Sequence, residues 1–283
     1  MKKTSTVLAC LLLSMLCASA VLADDVPHAN AAYGTPVVDG QIDEVWANAE
    51  TYTASALKDG TEEGITTEWK ALWDEKNLYV LIETKGDTKH FFNGDQSLGD
   101  GVELYIDALN NDPEDFATDD GVVQIGVKAN ATTDAAYMGT ETAIANIEGK
   151  YQIVAVENAD GYTYEISIAM ADFCSGFHFK EGTVLGFDIQ INSKSDDAES
   201  RTSAYGWADT TNIGWQYPYV FGDLELAPAP VVEAETEAEV AISPDTSATP
   251  DTATTAPATF DAGVLAALAA IVSAAGFALS KKH

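Results

Sequence analysis

Thr67-Glu68-Trp69-Lys70-Ala71-Leu72-Trp73, then Asp74-Glu75-Lys76-Asn77, then Leu78-Tyr79-Val80-Leu81-Ile82-Glu83: these seventeen residues decide the fold class. Two runs rich in aromatic and branched apolar side chains flank four residues of turn character, which reads as strand, hairpin turn, strand. The same pattern recurs outward, in runs at 102–106, 122–127, 151–156, 162–168, 185–191 and 221–226. Asn158-Ala159-Asp160-Gly161 supplies a second hairpin turn. Long amphipathic helices are missing from the pattern. Short strands at this spacing predict a single all-β domain, an antiparallel β-sandwich of jelly-roll type.

That domain runs over residues 24–226, about two hundred residues, enough to bury a sizeable core. It holds 38 acidic against 10 basic side chains, a net charge near −28. Nucleic acid is excluded as a partner, because binding it needs Lys and Arg to neutralise phosphates. The same field repels anionic membranes and polyuronic acids.

The ends of the chain read differently. Lys2 and Lys3 precede an apolar core from Val7 to Leu16 and small residues to Ala23, so residues 1–23 read as a secretory signal peptide cleaved after Ala20 or Ala23. Cleavage leaves Cys174 alone, with no disulfide to form. From 227 to 258 the chain is Ala, Glu, Thr, Ser and Pro with almost no large apolar residue, and reads as a disordered stalk. Residues 259–283 contain an apolar stretch, 262–280, ended by Lys281 and Lys282; it is long enough to span a bilayer with the lysines inside. Ala256-Pro257-Ala258-Thr259-Phe260 ahead of it resembles a sortase sorting signal, with Ala256 in place of Leu and Phe260 in place of Gly. The expected location is therefore the outer cell surface, with the domain anchored to membrane or wall and sortase as a candidate partner.

Ordered landmarks fill the domain: residues 32–46, Leu72 to Val80, Asp100 to Asp107, Gly186 to Asn192, Trp207-Ala208-Asp209, and Asn212 to Pro218 closed by Phe221-Gly222-Asp223-Leu224. In this order they resemble family 9 carbohydrate-binding modules, found on secreted xylanases. The resemblance implies a non-catalytic β-sandwich that grips a sugar between two tryptophans, while a carboxylate, an amide and an arginine take its hydroxyls. On this chain it assigns the carboxylate to Glu103, the amide to Asn212 and one wall to Trp215. Gln96-Ser97-Leu98 stands where the second tryptophan is expected, and Gly126 where the arginine is. Phe91 and Phe92, just ahead of Asp100, are candidates to replace the missing wall. The resemblance also implies structural Ca²⁺.

The residues themselves support part of this. A pyranose is apolar only on its C–H faces, so a site stacks an aromatic plane there and hydrogen-bonds the rim. Trp215, beside Gln216 and Tyr217 in a polar loop, suits that chemistry, whereas Trp46, Trp69 and Trp73 lie in apolar runs and read as core. Glu103 alternates with Val102 and Leu104 and so points away from their face. Acidic loops at 112–120 (Asp112, Glu114, Asp115, Asp119, Asp120) and 196–199 offer the oxygens Ca²⁺ requires. Other classes stay open: a structural or adhesive surface protein without a working sugar site, a haem-binding sandwich using Met138, Met170 or His90, and a glycosidase. No triad or zinc motif surrounds His28, His90 or His178.

Overall fold

The computed structural model describes residues 26–87, 98–129, 135–195 and 199–229. The segments read as signal peptide, as anchor or sorting tail and as nearly all of the stalk lie outside the described residues, as do Phe91, Phe92, His90, Asp196 and Asp197. Among the described residues no helix is long and apolar enough to cross a membrane.

The described residues form thirteen strands: β1 (His28–Tyr33), β2 (Tyr52–Thr53), β3 (Ala56–Gly60), β4 (Thr66–Trp73), β5 (Asn77–Lys85), β6 (Gly101–Asp107), β7 (Val122–Lys128), β8 (Ala135–Gly139), β9 (Tyr151–Asn158), β10 (Gly161–Ala169), β11 (Val184–Ser193), β12 (Ser203–Gly206) and β13 (Gly222–Leu226). One short helix, α1 (Glu141–Ile147), and two 3₁₀ turns (Glu44–Asn48 and Pro218–Val220) complete the set. The sheet order is β8-β7-β6-β11-β13-β1-β4-β5-β10-β9, with β12 joining β11 to β3, and β2 beside β4. All eight predicted strands are present within a residue or two at their ends.

β1 is the seam. Its first four residues pair parallel with β13, and its last two, Ala32 and Tyr33, pair parallel with Leu72 and Trp73 of β4. The remaining pairings are antiparallel. Changing partners midway lets the sheet curl, so that its two halves face each other across one core. Trp69, Trp73, Val80 and Ile82 from one half meet Leu104, Ile106, Ile125 and Ile189 from the other. Trp69 lies 5.5 Å from the Phe187 ring and 4.9 Å from that of Trp207.

The turns close as their residues dictate. In 74–77, Asp74 Oδ1 accepts from the backbone N–H groups of Lys76 and Asn77, both at 2.8 Å. Burial pushes the Asp74 carboxyl up, but the Tyr79 hydroxyl and these two amides outweigh it and hold it below its ordinary value. At the β9–β10 turn Gly161 has φ +149°, and a Cβ there would stand 2.0 Å from the Thr84 carbonyl oxygen, so only glycine fits.

The outer faces of the two halves differ. Over β4, β5 and β10 the N-terminal segment folds back and buries Val38 and Trp46 against Leu72, Tyr79 and Leu81. The outer face of β6, β7 and β11 is largely polar instead.

Candidate functional site

Strand alternation builds that polar face. Val102, Leu104 and Ile106 enter the core, so Glu103, Tyr105 and Asp107 point the other way. Across the ladder Glu103 faces Gln190 of β11 and Gly126 of β7, while Tyr105 faces Asp188 and Gln124. The strand period is as expected, yet Glu103 is no solvated surface group: it is 2% exposed. Its carboxylate accepts from Asn192 Nδ2 at 2.7 Å, from Gln124 Nε2 at 2.6 Å and from the Tyr105 hydroxyl. Three donors make burial of such a group tolerable. Burial, then the adjacent Glu103 carboxylate, push the Tyr105 phenol well above its ordinary value, so it stays a donor.

A buried cation sits beside this group. Lys58 Nζ is 3.0 Å from Asp209 Oδ2, 3.8 Å from Asp188 Oδ2 and 5.7 Å from the centre of the Tyr105 ring, with all three charged side chains shielded from solvent. Asp188 also accepts from the N–H groups of Ile189, Ala208 and Asp209. Asp209 is the hub of the loop that follows β12. It accepts from the N–H and hydroxyl of Thr211, both at 2.7 Å, from Ile213 N at 3.0 Å and from Gly214 N at 2.8 Å.

This loop carries two of the predicted site residues. Asn212 has φ +60°, a left-handed conformation that asparagine tolerates better than most residues. Its side-chain oxygen is buried and finds no protein partner. Trp215 is 46% exposed, and its indole N–H donates to the Asn212 carbonyl at 3.1 Å. The ring is thus fixed by its edge with much of its surface left to solvent. The three predicted residues share one side of the domain but not one depth. Glu103 lies a layer below, linked through Tyr105 to Phe221 (ring centres 5.5 Å apart) and from Phe221 to Phe116, which lines the cleft beside Trp215.

In the acidic loop several carboxylates are engaged by the loop's own donors. Asp107 accepts from the N–H groups of Leu109, Asn111 and Asp112, Asp115 from Ala117, and Asp119 from Gly121 and the Asn111 amide. Among the described residues no three His, Cys, Asp or Glu side chains gather as ligands.

A β-sandwich with an exposed tryptophan on a braced loop above a polar face suits, first, a class: a β-sandwich binding module. The chain belongs to the carbohydrate family 9 binding domain-like family, whose model matches residues 38–229. It is similar to endo-1,4-beta-xylanase A of Thermotoga neapolitana, 31% identical over 206 residues that make up 72% of this chain and 18% of that protein. Exoglucanase XynX of Acetivibrio thermocellus is 29% identical over 210 residues, 74% of this chain and 18% of its own length. The chain thus spans less than a fifth of these relatives. A family 9 carbohydrate-binding module of Caldicellulosiruptor kristjanssonii, solved with cellotriose, shares the fold with a TM-score of 0.61 at 23% identity, covering 74% of this chain and 97% of that one.

Sequence reasoning missed the supporting residues. Asn192 and Asp209 lie within the ordered landmarks, but nothing in their sequence neighbourhood marks a role. Gln124 carries no signal beyond its place in a strand, and Lys58 lies in a strand that propensity does not mark. Arg201, the chain's single arginine, pairs with Asp59 at 3.4 Å, and its charge opposes the rise at Tyr105.

Proposed function

We propose that this protein is a non-catalytic carbohydrate-binding module that holds neutral plant-type polysaccharide, such as xylan or β-glucan, at the outer surface of the cell. The observation that carries the reading is Trp215, an exposed indole locked by its N–H on a loop whose hub, Asp209, is buried. In this reading the ring stacks on a sugar's C–H face, the Asn212 amide takes a hydroxyl, and Glu103 acts from beneath by orienting Gln124 and Asn192. The acidic surface disfavours uronic acids and favours neutral glycans. Family membership and the glycan held by the Caldicellulosiruptor module support it. Export rests on the signal-like residues 1–23, and surface retention on the apolar stretch at 262–280.

Trp215→Ala tests the reading. Affinity for soluble xylo- or gluco-oligosaccharides, measured by calorimetry, should weaken by about 1.5 kcal/mol or more, while stability changes by less than about 1 kcal/mol. No heat from wild-type protein with any neutral glycan at millimolar concentration would overturn it and leave the structural or adhesive reading.

A further inference from the structure

Next to Trp215 lies a cleft of about 430 Å³ that neither Glu103 nor Asn212 lines. Its volume falls in the range of small-ligand sites, about 300–1,000 Å³. Trp215 and Tyr217 supply aromatic surface, Phe116 and Met138 apolar surface, and Asp115 and Gln216 polar groups. The aromatic part is held in place. The N–H groups of Gln216 and Tyr217 both donate to the Ile213 carbonyl, at 2.8 and 3.0 Å, which fixes the turn. The Tyr217 ring stacks on that of Tyr219, centres 5.4 Å apart and planes at 30°. Tyr217 nevertheless stays 37% exposed and Tyr219 49%. The Asp115 carboxylate is anchored through Oδ1, which accepts from Ala117 N at 2.9 Å.

Exposed aromatic rings already immobilised by their neighbours lose little entropy on binding, and a mixed apolar and carboxylate-amide lining matches a ring with apolar faces and a hydroxyl rim. The geometry points to a second sugar subsite in this cleft, adjoining the one at Trp215. The ligand is then a neutral chain of at least two linked units rather than a single sugar, with Tyr217 and Gln216 setting the preference for length and Tyr219 positioning Tyr217. This inference rests on the carbohydrate-binding reading of Trp215 and extends it along the loop.

The experiment is a length series: glucose, cellobiose, cellotriose and cellohexaose, with xylose, xylotriose and xylohexaose, titrated against wild type, Tyr217→Ala, Tyr217→Phe and Gln216→Ala. Wild-type affinity should rise from monosaccharide to trisaccharide. Tyr217→Ala should lose about fivefold to tenfold on trisaccharides and longer while staying within about twofold on the monosaccharide. Tyr217→Phe should restore the length dependence, and Gln216→Ala should weaken the longer ligands alone by about threefold. If Tyr217→Ala fails to fold, Gln216→Ala carries the test. Equal loss at every length, no loss at any, or monosaccharide binding without a length dependence in wild type each overturns the subsite and leaves the Trp215 reading standing. No binding of any glycan by wild type overturns both.

Discussion

Each half of the sheet buries a glutamate on its outer face, and the two are held in opposite ways. Glu165, on β10, accepts from the backbone N–H groups of Asp39 at 3.1 Å and Gly40 at 2.7 Å, and from the Trp46 indole at 3.3 Å. These donors come from a segment more than a hundred residues away in sequence, so Glu165 fastens the N-terminal segment over an apolar face. Glu103 instead accepts from Tyr105, Gln124 and Asn192, side chains of strands that the sheet already holds in place. A carboxylate spent on backbone amides is part of the architecture. One spent on neutral side chains of three adjacent strands orders the polar face itself.

Lys58 stands between two buried aspartates behind the polar face, so the largest effect expected is at Lys58. Lys58→Met leaves Asp188 and Asp209 buried without their counter-ion and should cost about 3–5 kcal/mol of folding stability, read by denaturant unfolding. A cost below about 1 kcal/mol would mean that the two aspartates relax into solvent and do not brace the loop.

The glutamates themselves sharpen the contrast. Glu165→Ala strands two backbone donors and an indole N–H, and should cost about 2–4 kcal/mol of stability while glycan affinity stays within about twofold. Glu103→Gln keeps the shape but turns an N–H₂ toward donors. It should reduce affinity about tenfold, or about 1.4 kcal/mol, with a smaller loss of stability. If both substitutions act on stability alone, the two carboxylates play the same role and the polar face is only packing.

How far the sequence carries this picture depends on what each residue has to signal. The eight predicted strands were legible because aromatic and β-branched residues crowd between turn residues. β1 was not, since His-Ala-Asn-Ala-Ala-Tyr has no propensity for a strand and is recruited by parallel pairing with β13 and β4. β3, β12 and the short α1 were missed for similar reasons: they are short, and tertiary contacts decide them. Trp46, Trp69 and Trp73 read as core and are buried, whereas Trp215 read as a loop residue and is exposed. For Glu103 the two-residue period gave the direction of the side chain but not its burial, because period is blind to what covers a face. Asp209 looked like one more acid in an acidic chain, although it is the hub that holds Asn212 and Trp215.

Acid gives the mildest probe of that hub. Burial pushes Asp209 up, but the Lys58 ammonium, the Thr211 hydroxyl and the Gly214 amide outweigh it, so its carboxyl titrates below the ordinary 3.8. Asp188 lies farther from the ammonium, and burial, only partly offset by Lys58 and three backbone amides, raises it above that value. The signs therefore oppose each other. The stabilisation from Asp209 is present above its unfolded pKa and disappears as pH falls through its depressed folded value, below about 3.8. For Asp188 the folded state takes up its proton more readily than the unfolded chain, so moderate acid relieves a cost and leaves the Lys58–Asp209 pair intact. Glycan affinity should accordingly change by less than about twofold between pH 7 and pH 5, and fall only below about pH 4 as Asp209 protonates. Asp209→Asn should bind more weakly at every pH and lose the acid transition. A wild-type affinity already declining between pH 6 and 5 would place control of the loop in another group and separate it from the buried lysine.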